Sequence, residues 1–273
     1  WRAMTGVTTF VPGGLLGEYV ELFWHQERDR AQQSLERVMP TGSMGMVVAL
    51  GDWPLQVYDG RGAATPISAD ATISGAQDTW FQINVASHAV SMGVVFRPGG
   101  AAPLLGMDAG EFTRRHVPLE AAWGSKAVVF RERLREAGAA GARFALAEQW
   151  LAPLAERARR SPAIARAVDQ IGSTGGTRTV SELAAQLGWS ERHLSAVFRR
   201  EVGLGPKRYA RVRRFQAVLA MLARGERTTW ADVAAACGYF DQSHLVREFR
   251  ALAGCTPGEY PRRRTSHPNH LAA

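Results

Sequence analysis

Cysteine is nearly missing from this 273-residue chain: Cys237 and Cys255 are the only two. That excludes a disulfide framework and a zinc site built mainly from thiolates, and it assigns both thiols to the core as small apolar residues. Lysine is scarcer than its share, with Lys126 and Lys207 alone among 33 basic residues. The arginine excess is read as genomic composition rather than as phosphate-specific chemistry. No apolar run reaches the roughly 18 residues needed to span a bilayer, and Trp1 to Phe10 lacks a basic-then-apolar signal pattern. A cytoplasmic protein with no membrane partner is expected. The chain opens on Trp1 with Met4 just behind it, which leaves its natural start open. His25, His88 and His116 stand apart in sequence and no His-x-His with a following Glu occurs. Neither a metal nor another cofactor is therefore expected. Ser43 and Ser74 lack a Gly-x-Ser-x-Gly setting, and neither Cys has a suggestively placed His or acidic partner, so no enzyme is expected.

What is present is an ordinary globular composition, 46% hydrophobic and 21% charged, long enough for two modest cores. The formal charge of +8 is unevenly placed. Residues 1 to 160 hold 16 basic and 16 acidic side chains, whereas residues 161 to 273 hold 17 basic and 9 acidic. A neutral first part and a basic second part imply that only the second meets a polyanion.

The first hundred residues read as short β segments broken by Gly, Pro and Asp: Met46 to Leu50, Leu55 to Tyr58, Ala71 to Ser74, Trp80 to Val85 and Ala89 to Phe96. Such spacing favours a small sandwich or barrel. After Arg97-Pro98-Gly99-Gly100 helix formers take over, in Ala101 to Leu105, Lys126 to Ala137 and Ala142 to Ala155. Val129 and Leu134 in one helix, and Phe144, Ala147, Leu151 and Leu154 in the next, recur at near-helical spacing. These stripes are either internal core or a seam between two chains. The Arg-rich stretch Glu156 to Pro162 ends in Ser-Pro and marks a boundary, giving domains 1–158 and 159–273.

From Ala163 on, the pattern is all helix. Ile164, Val168 and Ile171 line a first helix, which ends in the Gly172 to Gly176 loop. An internal repeat comes next. Leu183-Ala184 and Gly188-Trp189 recur as Val233-Ala234 and Gly238-Tyr239. After one inserted residue, His193-Leu194, Phe198-Arg199, Gly203, Pro206 and Tyr209 recur as His244-Leu245, Phe249-Arg250, Gly254, Pro257 and Tyr260. Each copy has helix-turn-helix grammar. In the first, Thr179 caps with Glu182 three residues on, Leu183 and Leu187 face inward, and Gly188 supplies the turn. The second helix, Glu191 to Glu201, then buries Leu194, Val197 and Phe198. In the second copy Thr228 or Thr229 caps, Val233, Ala234 and Cys237 pack, and Asp241 caps a helix from Gln242 to about Leu252. Between them, Lys207 to Arg224 forms a long helix with the core stripe Val212, Phe215, Leu219 and Leu222; Lys207, Arg211 and Arg214 lie on another face. A rigid connector of this kind holds two reading helices at the separation of successive major-groove segments, about 34 Å.

The run Val180 to Ala184, then Phe198-Arg199-Arg200-Glu201-Val202-Gly203, Pro206 and Tyr209, Asp232-Val233-Ala234, Gly238 to Leu245, and Phe249-Arg250 with Gly254 to Pro257 resembles the DNA-binding domain of AraC/XylS-type transcriptional regulators, over roughly residues 162 to 262. The resemblance implies double-stranded DNA as partner, with base reading by Arg192, Ser195, Ala196 and Arg199 and by Gln242, Ser243, His244 and Arg247. Thr179, Thr229, Lys207, Arg211 and Arg250 are the candidate phosphate contacts. Small Ser195 and Ala196 stand where relatives often carry longer polar residues, which shifts base reading towards Arg192 and the second helix. Pro261 replaces a frequent Arg and is expected to end the last helix.

The first part is similar, less specifically, to the cupin-like sensor domains of this family, through Glu18 to Trp24, Arg37 to Pro40, Phe96 to Ala101 and Leu119 to Gly124. The expected fold class is thus α+β: a β-rich cupin-like domain with flanking helices, then an all-α domain of two helix-turn-helix units joined by a long helix. The resemblance implies a small-molecule effector, with Trp24, Trp53 and Trp80 as candidate pocket residues. A homodimer and contact with RNA polymerase are further candidate partnerships. The alternatives are an enzyme with a regulator-like module and a binding module that only recruits a partner.

Overall fold

Short segments in the first 118 positions, joined by one strand near residue 271, build two antiparallel sheets, and helix-forming runs fill most of the chain beyond position 118. The computed structural model describes residues 2–4, 6–28, 34–58, 66–224, 229–265, 267 and 269–273. With strands numbered along the chain, the first sheet runs β1 (Arg2–Met4), β2 (Val7–Phe10), β3 (Val20–Glu27), β10 (Val90–Phe96), β5 (Gly45–Ala49), β8 (Ala71–Ser74), β11 (His116–Pro118). The second runs β12 (His270–Ala272), β4 (Leu35–Val38), β9 (Phe81–Asn84), β6 (Leu55–Tyr58), β7 (Ile67–Ala69). The five expected strands are all present within a residue or two. The other strands carried too weak a pattern to be read, because most span three or four residues. β3 is longer, but it buries His25 and Gln26 where alternation calls for apolar side chains.

Register sorts the first sheet into two unlike faces. Phe23, Met92, Val94, Met46, Val48 and Ile73 share one face and are buried. Phe23 stacks on Phe10 and on Phe144 of helix α4 (Ala140–Arg157), so helices cover this face. The opposite face carries Trp24, Gln26, Ser91, Thr72, Ser74 and His116, and His116 meets the ring of Phe81 in the second sheet at 4.5 Å. The first sheet thus turns mostly polar side chains towards the second, which meets them with buried Leu55, Val57 and Ile83, while the larger apolar core lies on the helix side. Ser74 Oγ lies 2.8 Å from His116 Nδ1, and Glu36 Oε2 lies 2.8 Å from His270 Nδ1. Burial pushes His88 and His116 down to about 4.

Those two rings are neutral in the fold, whereas an unfolded histidine titrates near 6.5. Between those values the unfolded chain binds more protons, so stability is fully present above about pH 6.5 and falls as pH drops towards 4. Urea midpoints at about pH 7 and about pH 5 check this, and His116→Gln should lose less stability over the interval than the parent chain.

The helices after the sheets are α1 (Ala101–Leu105), α2 (Leu119–Trp123), α3 (Ser125–Glu136) and α4. Phe144, Ala147 and Leu151 of α4 are fully buried and its stripe is internal core. On α3, Leu134 is buried but Val129 is 47% exposed, because Ala127, Phe130 and Leu134 define the buried face instead. The second half continues as α5 (Pro162–Ser173), α6 (Val180–Leu187), α7 (Glu191–Val202), α8 (Pro206–Ala223), α9 (Trp230–Ala236), α10 (Gln242–Ala253) and α11 (Tyr260–Arg263). Pro261 does not end a helix: it sits in the first turn of α11, where its missing N–H costs nothing. Val197 is half-buried rather than buried.

The two halves share one continuous apolar core. Gln216 Nε2 donates to Pro40 O at 2.7 Å, Arg37 Nη1 to Gly254 O at 2.9 Å, and Thr113 Oγ1 to Gly203 O. Asp78, buried and paired with Arg114, also faces Arg208 of α8, whose Nε is 3.8 Å from Asp78 Oδ2. Within the Glu156 to Pro162 boundary the chain is tied to the β-rich half: Tyr19 OH donates to Ala158 O, and Arg160 donates to Glu18 O and Pro98 O. The chain then crosses back, because β12 near the C-terminus pairs with β4.

Candidate nucleic-acid interface

Each repeat places one helix on a capped, tightly turned support. Thr179 and Glu182 cap α6 reciprocally, with Thr179 N donating to Glu182 Oε2 at 2.9 Å and Glu182 N to Thr179 Oγ1 at 3.2 Å. Gly188 ends α6 at φ 68°, a left-handed conformation that a side chain would strain. Ser190 then accepts from His193 N and starts α7, whose Leu194, Phe198 and Val202 are buried. The second copy repeats this: Thr229 and Asp232 cap α9, and Asp241 Oδ1 accepts from His244 N at 2.7 Å to start α10. Thr228, the other candidate cap, lies outside the described residues. Between the units α8 buries Val212, Phe215 and Leu219, as its stripe implied.

On α7, Arg192, Ala196 and Arg199 are exposed and Ser195 is half-buried. The C-terminal half of α7 packs against α1 and the turn Ala109–Phe112 of the β-rich half. Arg199 sits there, with its Cγ and carbonyl O 3.3 Å from where a Cβ on Gly110 would stand. The open part of this reading face is thus its N-terminal turns, the part that meets base edges when such a helix enters a major groove. On α10, Gln242, Ser243 and Arg247 are exposed. His244 is turned inward: its ring packs on Tyr239, its Nδ1 accepts from Phe240 N, and its Nε2 lies 3.6 Å from Glu248 Oε1.

Glu248 also organises the candidate phosphate contacts. Its carboxylate takes Arg211 Nε at 3.0 Å and Arg214 Nη2 at 3.6 Å. Arg211 is therefore a brace between α8 and α10, sharing the Glu248 carboxylate with Arg214. Lys207 and Arg250 remain exposed, as do Thr179 and Thr229 at the helix starts. A residue that the sequence reading passed over is Phe240, 92% exposed in the turn before α10. No local signal marked it, since an aromatic directly before a helix cap commonly packs on the first turns, as Trp189 before Ser190 does on His193.

The three tryptophans do not line one pocket. Trp24 lies over Gly93, where a Cβ would come within 2.2 Å of its ring. Trp53 is 60% exposed beside a shallow cavity of about 250 Å³ shared with Arg28, Asp52 and Ser87. Trp80 sits under the Arg37 guanidinium, 4.6 Å away, against Gly254 of the other half. Among the described residues, no group of three or more His, Cys, Asp or Glu side chains is arranged to hold a metal ion, and no helix is long and apolar enough to cross a membrane.

Comparison with known proteins agrees with this geometry in the second half. Residues 183–263 match a family model described as a helix-turn-helix domain, and residues 8–118 match one described as a domain of unknown function. The HTH-type transcriptional regulator Rv1931c of Mycobacterium tuberculosis is 35% identical over 89 residues, 33% of this chain and 34% of that protein. The chain thus spans about a third of the length of this relative. A probable AraC family transcriptional regulator from Rhodopseudomonas palustris is 29% identical, with TM-score 0.33 over 36% of this chain and 94% of that one. A structure of ToxT from Vibrio cholerae covers 94% of this chain and 98% of its own at 10% identity and TM-score 0.45. The C-terminal half carries a helix-turn-helix domain, preceded by a β-rich half.

Proposed function

We propose that the chain is a sequence-specific DNA-binding transcriptional regulator, in which residues 159–273 read duplex DNA and residues 1–158 form a cupin-like unit that senses a small molecule. The observation that carries this reading is the pair of capped helix-turn-helix units on one buried connector, with Arg192 and Arg247 exposed on their second helices. Arginine suits guanine because its fork donates to O6 and N7 together, and Gln242 suits adenine for the same geometric reason. Ser243 and Ala196 are small enough to meet a thymine methyl, and Phe240 adds an apolar surface beside them. Lys207, Arg250 and the backbone at the two helix starts position the duplex through phosphates.

Footprinting with the full chain on genomic fragments tests this reading, with protection of two successive major-groove segments on one face as the expected result. Within a protected site, Arg247→Ala should cost about 1–3 kcal/mol and relax preference at one base pair. A uniform loss on all sequences, with only a shallower salt dependence, would instead assign Arg247 to phosphate. Two further roles belong to the same proposal: pairing of two chains, for which exposed Val128 and Val129 on α3 offer an apolar face, and contact with RNA polymerase. Sedimentation of the full chain with DNA carrying one or two sites reads the pairing role as cooperativity between sites.

A further inference from the structure

We infer that Phe240 is a specificity-determining residue at DNA, where its ring reads the 5-methyl group of one thymine in the segment that α10 occupies. The inference deepens the regulator reading above and rests on it.

The two helix-turn-helix units differ in length at one place, and Phe240 is the extra residue. In the first unit Gly188 is followed by Trp189 and then directly by the cap Ser190. In the second, Gly238 and Tyr239 are followed by Phe240 before the cap Asp241. Trp189 and Tyr239 are equivalent, because each meets edge-on the histidine at the third position of the helix that follows, His193 at 4.5 Å and His244 at 5.3 Å. Tyr239 thus already fills the place of the packed aromatic, and it is buried. The added ring is left outside. Phe240 takes no part in the apolar core, and among the described residues it is the only large apolar side chain exposed in the second half. A residue that breaks the local burial rule in this way, on an otherwise consistent unit, marks a functional position.

The backbone of Phe240 is fixed on both sides. Phe240 N donates to His244 Nδ1 at 3.3 Å, Asp241 Oδ1 accepts from His244 N at 2.7 Å, and Gly238 turns the chain at φ 72°. The ring is therefore presented on a rigid turn, and little ordering is needed when it meets a partner. Exposed Gln242 and Ser243 follow it directly, so a helix entering a major groove by its N-terminal turns carries Phe240 in with them. The Asp241 carboxylate beside it would repel a phosphate, which places this turn over base edges rather than over the backbone. A phenyl ring neither donates nor accepts a conventional hydrogen bond, so it is blind to the nitrogen and oxygen pattern of those edges. The apolar group they present is the thymine methyl, which apolar side chains contact.

Fluorescence anisotropy with the full chain and its footprinted site tests the assignment, each thymine of the site being replaced in turn by deoxyuridine, which lacks only the methyl group. For the parent chain, one such replacement should weaken binding about fourfold, the worth of one buried methyl. Phe240→Ala should weaken binding to the unmodified site by at least as much. For that variant the same replacement should have no further effect, which is the signature of a direct pair. Because the ring is exposed, the variant should keep the parent's urea midpoint, so that a loss at DNA is not a loss of fold. Unchanged affinity of Phe240→Ala would overturn the contact and leave the ring to a protein partner. An equal loss on every sequence, with the parent's deoxyuridine pattern retained, would also overturn it and assign the ring to sugar or backbone. Specific binding without coupling between Phe240 and any thymine removes this contact alone, whereas absence of any specific site in the parent removes the regulator reading and the contact with it.

Discussion

Raising salt from about 50 mM to about 200 mM is expected to weaken binding of the full chain to its DNA site about a thousandfold or more, as counterions released from some six or more phosphates are driven back. Arg178, Arg192, Arg199, Arg200, Lys207, Arg247 and Arg250 are exposed on the second half, whose excess of basic over acidic residues accounts for the whole net charge. Single substitutions divide this effect. Lys207→Ala should make the slope shallower by about one unit. Arg211→Ala should change the slope less, because that guanidinium is held against Glu248 at 3.0 Å. Anisotropy titrations across salt concentrations measure both. A slope near zero in the parent chain would remove the polyanion partner, and an equal change for both variants would overturn the bracing role of Arg211.

Phe215→Ala is expected to destabilise the chain by about 3–5 kcal/mol, with loss of DNA binding at temperatures where the variant unfolds. Phe215 is fully buried, and its ring meets Phe249 of α10 edge-on at 5.1 Å. It therefore joins the connector to the second reading helix. Removing the ring leaves a cavity that a helix already fixed by Glu248 and Tyr239 cannot easily close. Urea denaturation measures the loss. A cost under about 1 kcal/mol would mean that α8 and α10 repack freely, contrary to a connector that sets their geometry.

Much of the second half was legible because its signals are local. Thr179 with Glu182, Ser190, Thr229 with Asp232, and Asp241 each satisfy N–H groups within three residues, so the caps could be read one after another along the chain. The duplicated pattern then fixed the order of the units. The β-rich half was legible only where short β-forming runs stood between Gly, Pro and Asp breaks, as in β5, β6, β8, β9 and β10. β3 hid itself by burying His25 against Arg143 and Gln26 against the His88 carbonyl, partners far away in sequence.

By itself, then, the sequence determined the helix-turn-helix pair, the limits of its helices, the buried stripe of α8 and the placement of positive charge, all of which depend on periodicity, capping and turn conformation within a few residues. Tertiary structure alone decided which polar side chains stay available. It turned His244 and Arg211 towards Glu248, parted the three tryptophans, and laid the end of α7 against Gly110. It also joined the two halves through contacts such as Arg37 with Gly254 and Glu36 with His270, 217 and 234 residues apart. The reason is physical: a cap or an apolar stripe is stabilised by neighbours along the chain, whereas a charge or an aromatic ring takes whatever partner the packing of distant elements brings within reach.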